Sequence, residues 1–159
     1  MNLYHFSPIK NKKQLLTAVK YIVVQTSRLC KKSIGKELPI TSITIFSHYT
    51  EEYKNLVKIA LSLGKLHNEN NGPYVYLKNP LKVDSNTIKY LRIRQPDPYR
   101  MQVGCNDFNV EDYQFFKRKY LAKGLKNLRI IKRPDYEMIE FFDPDFDVLA
   151  YVVSKDIFK

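Results

Sequence analysis

The sequence predicts an α+β fold in which two βαβββ modules form one curled mixed sheet, shaped as a cup, after an N-terminal basic amphipathic helix. Residues 102–154 have the pattern of a short strand, an amphipathic helix and three closely spaced strands. Residues 42–94 repeat this order with different residue identities. Two such modules side by side are expected to enclose a cavity.

The chain length of 159 residues fits one domain, because a chain of this size buries roughly two thirds of its unfolded surface. We expect residues 1–40 to form an arm and a helix, residues 41–96 the first module and residues 97–159 the second module. Glycine is scarce, with five residues, which argues against a Gly-rich phosphate-binding loop.

The N-terminal part is predicted to contain an extended arm or short strand at residues 4–7 and then a helix at residues 12–32. Apolar residues recur at helical spacing along one side of that helix: Leu15, Val19, Ile22, Val23, Leu29 and Cys30. Basic residues fall on the opposite side: Lys13, Lys20, Arg28, Lys31 and Lys32. The apolar side should dock on the rest of the fold. The basic side is either solvated or faces an anionic partner.

The first module is predicted to contain a strand (42–47), a helix (51–63), a polar turn (68–72) and two strands (74–77 and 87–94). Thr50, Glu51 and Glu52 suit the amino end of the helix, where caps and acidic side chains are favoured. Gly64 is expected to end it. The last two strands would be joined through residues 80–86.

The second module follows a Pro-rich connector at residues 95–98. It is predicted to contain a strand (102–105), a helix (110–121) and three strands (128–132, 136–142 and 148–153). Gly124 lies shortly after the helix, much as Gly64 does in the first module. The agreement in helix length and glycine position supports a repeat of pattern.

The phrase MIEFFDPD at residues 138–145, followed by Val148, Leu149 and Val152, resembles the closing hairpin of the vicinal oxygen chelate superfamily, the glyoxalase and extradiol dioxygenase group. Residues 102–124 are also similar to the strand and helix that precede a glycine in that family. The resemblance covers about residues 42–154. Phe146 stands where the family usually has Gly. The resemblance implies a cup that in the family commonly holds a divalent metal through His, Gln or Glu on inward-facing strands.

The metal-binding positions that this resemblance implies are mostly filled by residues that cannot bind a metal. The first His position falls near Ser42 or Thr44, the second falls on Gln102, and the final Glu position falls on Ala150. Only Gln102 could be a ligand, whereas such sites normally need about three protein donors. We therefore predict no metal and no cofactor.

A candidate ligand site lies on the strand at residues 87–94, where Tyr90, Arg92 and Arg94 share one face. Arg100 and Gln102 follow closely. Guanidinium groups beside phenol rings suit a carboxylate or a phosphate, because their forked donors bind two oxygens at once. The alternative is that these arginines pair with Glu137 or Glu140 on an exposed sheet face.

Two residues are candidates for acid–base catalysis. Glu140 shares a strand face with Met138 and Phe142, and a carboxyl on an apolar surface could act as a general acid or base. Its alternative role is a buried ion pair with Arg92 or Arg94. His48 ends the first strand near a helix start and could act as a base, or it could be an exposed loop residue.

The net charge of +11 is concentrated at the amino end of the chain, because residues 1–40 carry eight Lys or Arg and one acid, Glu37. Clustered basic charge favours binding to phosphates and acidic surfaces. Its alternative origin is a general lysine-rich bias of the proteome. No apolar run reaches the roughly 18 residues that span a bilayer, and residues 1–11 lack the layout of a signal peptide. Cys30 and Cys105 show no metal-ligand spacing and are expected to be reduced, in a cytoplasmic monomer or homodimer.

Three functions remain open from the sequence. The first is a small-molecule-binding domain or metal-independent enzyme whose cup recognises an anionic ligand. The second is a nucleic-acid-binding or ribonucleoprotein accessory protein that uses the basic helix. The third is an interaction or inhibitor module for an acidic protein.

Overall fold

The computed structural model describes residues 4–155. Its elements are α1 (Lys12–Ile34), β1 (Ile40–Phe46), α2 (Thr50–Ser62), β2 (Gly64–Glu69), β3 (Pro73–Val83), β4 (Asn86–Arg94), β5 (Gly104–Phe108), α3 (Tyr113–Leu121), β6 (Leu128–Lys132), β7 (Glu137–Phe141) and β8 (Val148–Val153). After α1 the order strand, helix and three strands occurs twice, which confirms the predicted fold class.

The eight strands form one open mixed sheet in the order β2-β3-β4-β1-β5-β8-β7-β6. Within each module the first strand pairs parallel to the last, β1 with β4 and β5 with β8. The modules join through the antiparallel pair β1 and β5. The two halves therefore have the same internal strand order and meet at the centre of the sheet.

The helices cover one face of the sheet, and the main core lies between the helices and that face. Because side chains alternate along a strand, Ile43 and Ile45 of β1 and Leu91 and Ile93 of β4 all point into this core and are fully buried. The opposite side chains of the same strands point to the other face. That face carries the polar residues described below.

Helix α1 matches the prediction closely. The Asn11 side chain caps its start by accepting a hydrogen bond from the backbone N–H of Gln14 at 2.9 Å. Gly35, with φ +80°, ends the helix. The predicted apolar residues are all buried, and the predicted basic residues are all exposed.

Four details of the sequence prediction were wrong. Gly64 does not end α2 but starts β2, where a Cβ would lie 1.9 Å from the carbonyl oxygen of Tyr76. Strand β2 was not predicted, because its sequence lacks an apolar alternation, and the predicted turn at residues 68–72 covers only its last two residues. Strand β3 continues through Pro80, next to a register shift, which is where a proline is tolerated in a sheet. Helix α3 starts at Tyr113, with Asp112 as its cap.

None of the helices in residues 4–155 is long and apolar enough to cross a membrane. Cys30 and Cys105 are both free, as the sequence predicted, and both are buried. Burial raises the pKa of each thiol to about 12, so that both are inert at neutral pH.

Candidate functional site: the arginine cup

The face of the sheet opposite the helices encloses a cavity of about 250 Å³, which we call the arginine cup. Its charged lining residues are Arg92, Arg94, Arg100, Arg133, Asp107 and Glu140. The register of strand pairing explains how most of these side chains come to lie on one face of the sheet. Arg92, Thr44 and Cys105 are paired across β4, β1 and β5, and the neighbouring row carries Tyr90, Ser42, Asp107, Tyr151, Glu140 and Arg129. Alternate positions of these strands therefore share the cup face.

Arg92 lies half-buried in the cup, and one of its N–H donors has no acceptor among the described residues. Its guanidinium carbon lies 4.8 Å from the ring centroid of Tyr74, and its Nη1 donates to the backbone carbonyl of Asn70 at 3.1 Å. Its Nε is buried and has no hydrogen-bond partner among the described residues. Burying a charged donor without an acceptor costs free energy.

Arg94 and Arg100 lie beside Arg92 and share one distant carboxylate. Each approaches Asp97 at 3.9 Å, which is beyond hydrogen-bonding distance. The guanidinium carbon of Arg94 lies 4.9 Å from the ring centroid of Phe46. Burial, with Arg100 and Arg92 nearby, lowers the pKa of Arg94. Three guanidinium groups thus form a weakly compensated positive cluster at one side of the cup.

Asp107, like Arg133, is a charged residue of the cup that sequence reasoning missed. Burial raises its pKa to about 6, although nearby Arg92 opposes the shift. Within residues 4–155 its carboxylate makes neither a hydrogen bond nor an ion pair within 4.0 Å. The predicted strand stopped at residue 105, whereas β5 continues to Phe108. Extending the alternation from Cys105 by two residues would have placed Asp107 on the cup face.

Glu140 lines the cup as expected, but its partner is Arg129. Arg129 Nε donates to Glu140 Oε1 at 2.6 Å, and the Tyr151 hydroxyl donates to Oε2 at 2.9 Å. The predicted pairing with Arg92 or Arg94 was wrong, because the hairpin register places Arg129 directly opposite Glu140. Glu140 therefore does not neutralise the cluster of Arg92, Arg94 and Arg100.

Tyr90 and Gln102 do not line the arginine cup. Tyr90 shares the face of Arg92 but contacts the rings of Tyr76 and His67, with centroids 5.3 and 5.4 Å away. Gln102 precedes β5 and lines a separate groove together with Tyr21. Of the predicted ligand-binding set, the structure brings together Arg92, Arg94 and Arg100.

His48, the second candidate for acid–base catalysis, is buried outside the lining of the cup. Its Nδ1 lies 2.6 Å from Ser7 Oγ, and its Nε2 lies 3.2 Å from the carbonyl oxygen of Gln102. The ring of Tyr4 stacks on it at a centroid distance of 3.9 Å. Burial lowers the pKa of His48, against the opposing effect of Glu52. These contacts make His48 an anchor for the N-terminal arm.

The positions implied for a family metal site do not converge. Ser42 and Thr44 face the cup, but Ala150 is fully buried and faces the helices. Its neighbour Tyr151 faces the cup instead, because adjacent strand residues point to opposite faces. Across the described part of the chain, no three His, Cys, Asp or Glu side chains lie close enough to hold a metal.

The basic face of α1 lies on the helix side of the molecule, away from the cup. Lys13, Lys20, Arg28 and Lys31 are exposed, and no ion pair joins them to another described residue. Lys32 differs, because its Nζ lies 2.7 Å from Asp143 and 3.2 Å from Asp145. Four of the five predicted residues therefore present free charge.

Neither a protein-family model nor a curated protein sequence matches this chain. A solved structure described as "Structural Genomics, Protein EC4020" is similar to it, with a TM-score of 0.67 and 12% sequence identity. The similarity covers 96% of this chain and 91% of that chain. At this identity the likeness shows a common fold alone, so that function has to be argued from the site.

Proposed function

We propose that this protein binds a small anionic molecule in the arginine cup, through Arg92, Arg94 and Arg100. The observation that carries the proposal is that Arg92, Arg94 and Arg100 line one cavity, while the nearest carboxylate of the described residues, Asp97, lies 3.9 Å from Arg94 and Arg100. A carboxylate or phosphate in the cavity would supply acceptors to these guanidinium groups and would neutralise the cluster. Hydrogen bonds to charged groups contribute about 1.5–3 kcal/mol each, so several guanidinium donors acting together would favour a small anion.

The aromatic neighbours of these arginines support the same proposal. A guanidinium group that stacks on a ring keeps its N–H edge directed away from that ring, where it can bind two oxygens of one anion. Tyr74 and Phe46 hold Arg92 and Arg94 in this way. The cluster is therefore preorganised, which reduces the entropy lost on binding.

The resemblance to the vicinal oxygen chelate superfamily is part of this proposal. The paired βαβββ modules are consistent with the arrangement that the resemblance implies. In this chain Ser42 or Thr44, Gln102 and Ala150 stand at the expected metal-binding positions, and the cup carries arginines. We therefore propose a glyoxalase-like, metal-independent ligand-binding protein or enzyme of the cytoplasm.

Binding of phenyl phosphate, with phenol as the uncharged comparison, tests the proposal by isothermal titration calorimetry. We expect phenyl phosphate alone to bind the wild type, and the double variant Arg92→Gln and Arg94→Gln to weaken binding at least tenfold. Arg118→Gln, an exposed arginine on α3, is the matched control and should bind normally. Equal binding by the double variant and the control would refute the cup as an anion site.

A second candidate is nucleic-acid binding by the basic face of α1, as the sequence suggested. It is favoured by one observation: α1 carries no acidic residue, and Lys13, Lys20, Arg28 and Lys31 are exposed without ion pairs to described residues. Fluorescence anisotropy of short labelled RNA and DNA tests it. Changing these four residues to Ala should abolish salt-dependent binding, whereas Lys32→Ala should change it little. If the partner of this face is an acidic protein instead, the wild type should form a complex with that protein and should give no anisotropy change with RNA or DNA.

A further inference from the structure

We propose that the ligand of the arginine cup also carries a cationic group, such as a primary ammonium, and that Asp107 binds it. The inference rests on the proposed function, because it concerns the same cavity. It makes the ligand class a small zwitterion: an anionic oxygen group and an amine a few bonds apart.

Asp107 and Glu140 differ in whether the protein provides partners for their carboxylates. The Glu140 carboxylate is bonded by Arg129 and by the Tyr151 hydroxyl. Asp107 lines the same cavity, and no Lys, Arg or His nitrogen of residues 4–155 lies within 4.0 Å of its oxygens. A carboxylate that only balanced the arginine cluster would be expected to contact it. Asp107 therefore offers unused negative charge to a ligand.

The register fixes the relation between the two halves of this site. Arg92 is opposite Thr44, and Asp107 is opposite Ser42, on the next row of the same face. Two strand spacings and one two-residue step put the Cα atoms of Arg92 and Asp107 roughly 12 Å apart. The Arg92 guanidinium contacts Tyr74 and the backbone of Asn70, and the side chains of both Arg92 and Asp107 line the cavity. A ligand that contacts both therefore has its opposite charges separated by several bonds.

The remaining walls and the size of the cavity limit the ligand further. Ile131, Met138 and Val153 provide apolar surface on the second module. The cavity volume of about 250 Å³ is below the roughly 300–1,000 Å³ of sites that bind drug-sized molecules. A compact metabolite-sized molecule with a short aliphatic chain fits this description.

Two pairs of probes that differ only in an amine test the inference by calorimetry. Phosphoethanolamine is compared with ethyl phosphate, and 4-aminobutyrate with butyrate. The two pairs distinguish a phosphate from a carboxylate as the anionic group. We expect the wild type to prefer the amine in at least one pair by about tenfold.

Asp107→Asn should reduce this preference to within about twofold while leaving the amine-free probe bound. Asp84→Asn is the matched control, because Asp84 is exposed in a turn with φ +53°, a conformation that Asn adopts readily. Its preference should equal that of the wild type. The wild-type comparison alone tests the inference even if the Asp107 variant folds poorly.

Equal binding of both members of each pair, or a preference that survives in the Asp107 variant, would overturn the inference while leaving the anion site intact. If neither member of either pair binds the wild type but phenyl phosphate does, the inference fails and the anion site stands. If phenyl phosphate does not bind either, the proposed function fails as well.

Discussion

Arg129 on β6 and Glu140 on β7 face each other across a hairpin, and the Nε of Arg129 lies 2.6 Å from Glu140 Oε1. This pairing occupies the most buried carboxylate of the cup, which is 1% exposed. Arg92 and Arg94 therefore have no ion pair with Glu140. One local ion pair thus leaves the cluster of Arg92, Arg94 and Arg100 without this carboxylate as a counter-charge.

Removing Arg129 should destabilise the fold more than removing the charge of Glu140. Arg129→Met leaves Glu140 buried with only Tyr151 as partner. Breaking a buried pair in this way costs about 3–5 kcal/mol, and we expect about 2 kcal/mol, because the Arg129 side chain is 64% exposed. Glu140→Gln keeps a hydrogen-bonding group and should cost less. Urea denaturation measures both, and a larger loss for Glu140→Gln would contradict the assignment.

Asp107→Asn should stabilise the protein at neutral pH. The folded-state pKa of Asp107 is raised to about 6 from an ordinary 3.8, so that the folded state disfavours the ionised form. Wild-type stability is therefore highest below about pH 4 with respect to this group and falls as the pH rises to about 6. The variant lacks this penalty. We expect it to be more stable by about 1–2 kcal/mol at pH 7.5, since one pKa unit corresponds to about 1.4 kcal/mol and Asp107 is only partly buried.

Denaturation of both proteins at pH 4.0 and pH 7.5 checks this expectation. The difference between them should nearly vanish at pH 4.0. A variant that is less stable at both values would mean that Asp107 has a structural partner. The gain at neutral pH would show that the carboxylate is retained at the expense of stability, as is common at functional sites.

His48 should make attachment of the N-terminal arm sensitive to acid. Its folded-state pKa is lowered by burial, so stability from this group is present above the ordinary value of about 6.5 and is lost as the pH falls below it. Glu52 and Asp97, which oppose the shift, face it from α2 and from the loop after β4. Hydrogen exchange of residues 4–9 should accelerate between pH 7 and pH 5 after correction for intrinsic rates.

His48→Gln is the comparison for this prediction. Gln cannot titrate but can still donate to the Gln102 carbonyl, so the pH dependence should disappear while the arm exchanges somewhat faster at every pH. An unchanged pH dependence in His48→Gln would assign the effect to another group.

Much of the fold was predictable because its helices and central strands have clear periodicity. The apolar side of α1 and the alternation in β1 and β4 identified the core. Strand β2 was not predictable, because GKLHNE at residues 64–69 lies at the sheet edge and buries little. Its pairing with β3 depends on tertiary contacts rather than on its own residues.

The candidate site was only partly predictable for a related reason. Arg92 and Arg94 were identified because alternation within one strand is a local property. The Arg129–Glu140 pair depends on hairpin register, and the isolation of Asp107 depends on where β5 ends. His48 was misplaced because its partners, Ser7 and Gln102, lie 41 and 54 residues away in the chain.

Asn106 on β5 should be a position where an apolar residue stabilises the protein. Its side chain is 1% exposed on the helix-facing side of the sheet, opposite Ile43 and Ala150. Both its Oδ1 and Nδ2 are buried without a hydrogen-bond partner among residues 4–155. Each such group costs about 1–3 kcal/mol. Asn106→Leu, which has a similar shape, should therefore raise the free energy of unfolding by about 1 kcal/mol or more.

Asn106→Asp is the matched comparison, because it keeps the shape and adds a buried charge, and it should destabilise strongly at pH 7. Thermal and urea denaturation of the three proteins give the ranking Leu above Asn above Asp. If Asn106→Leu is the less stable of the first two, the amide has a partner such as a buried water. That result would make Asn106 part of the fold's polar network, since a satisfied buried amide fixes the register of the strands around it.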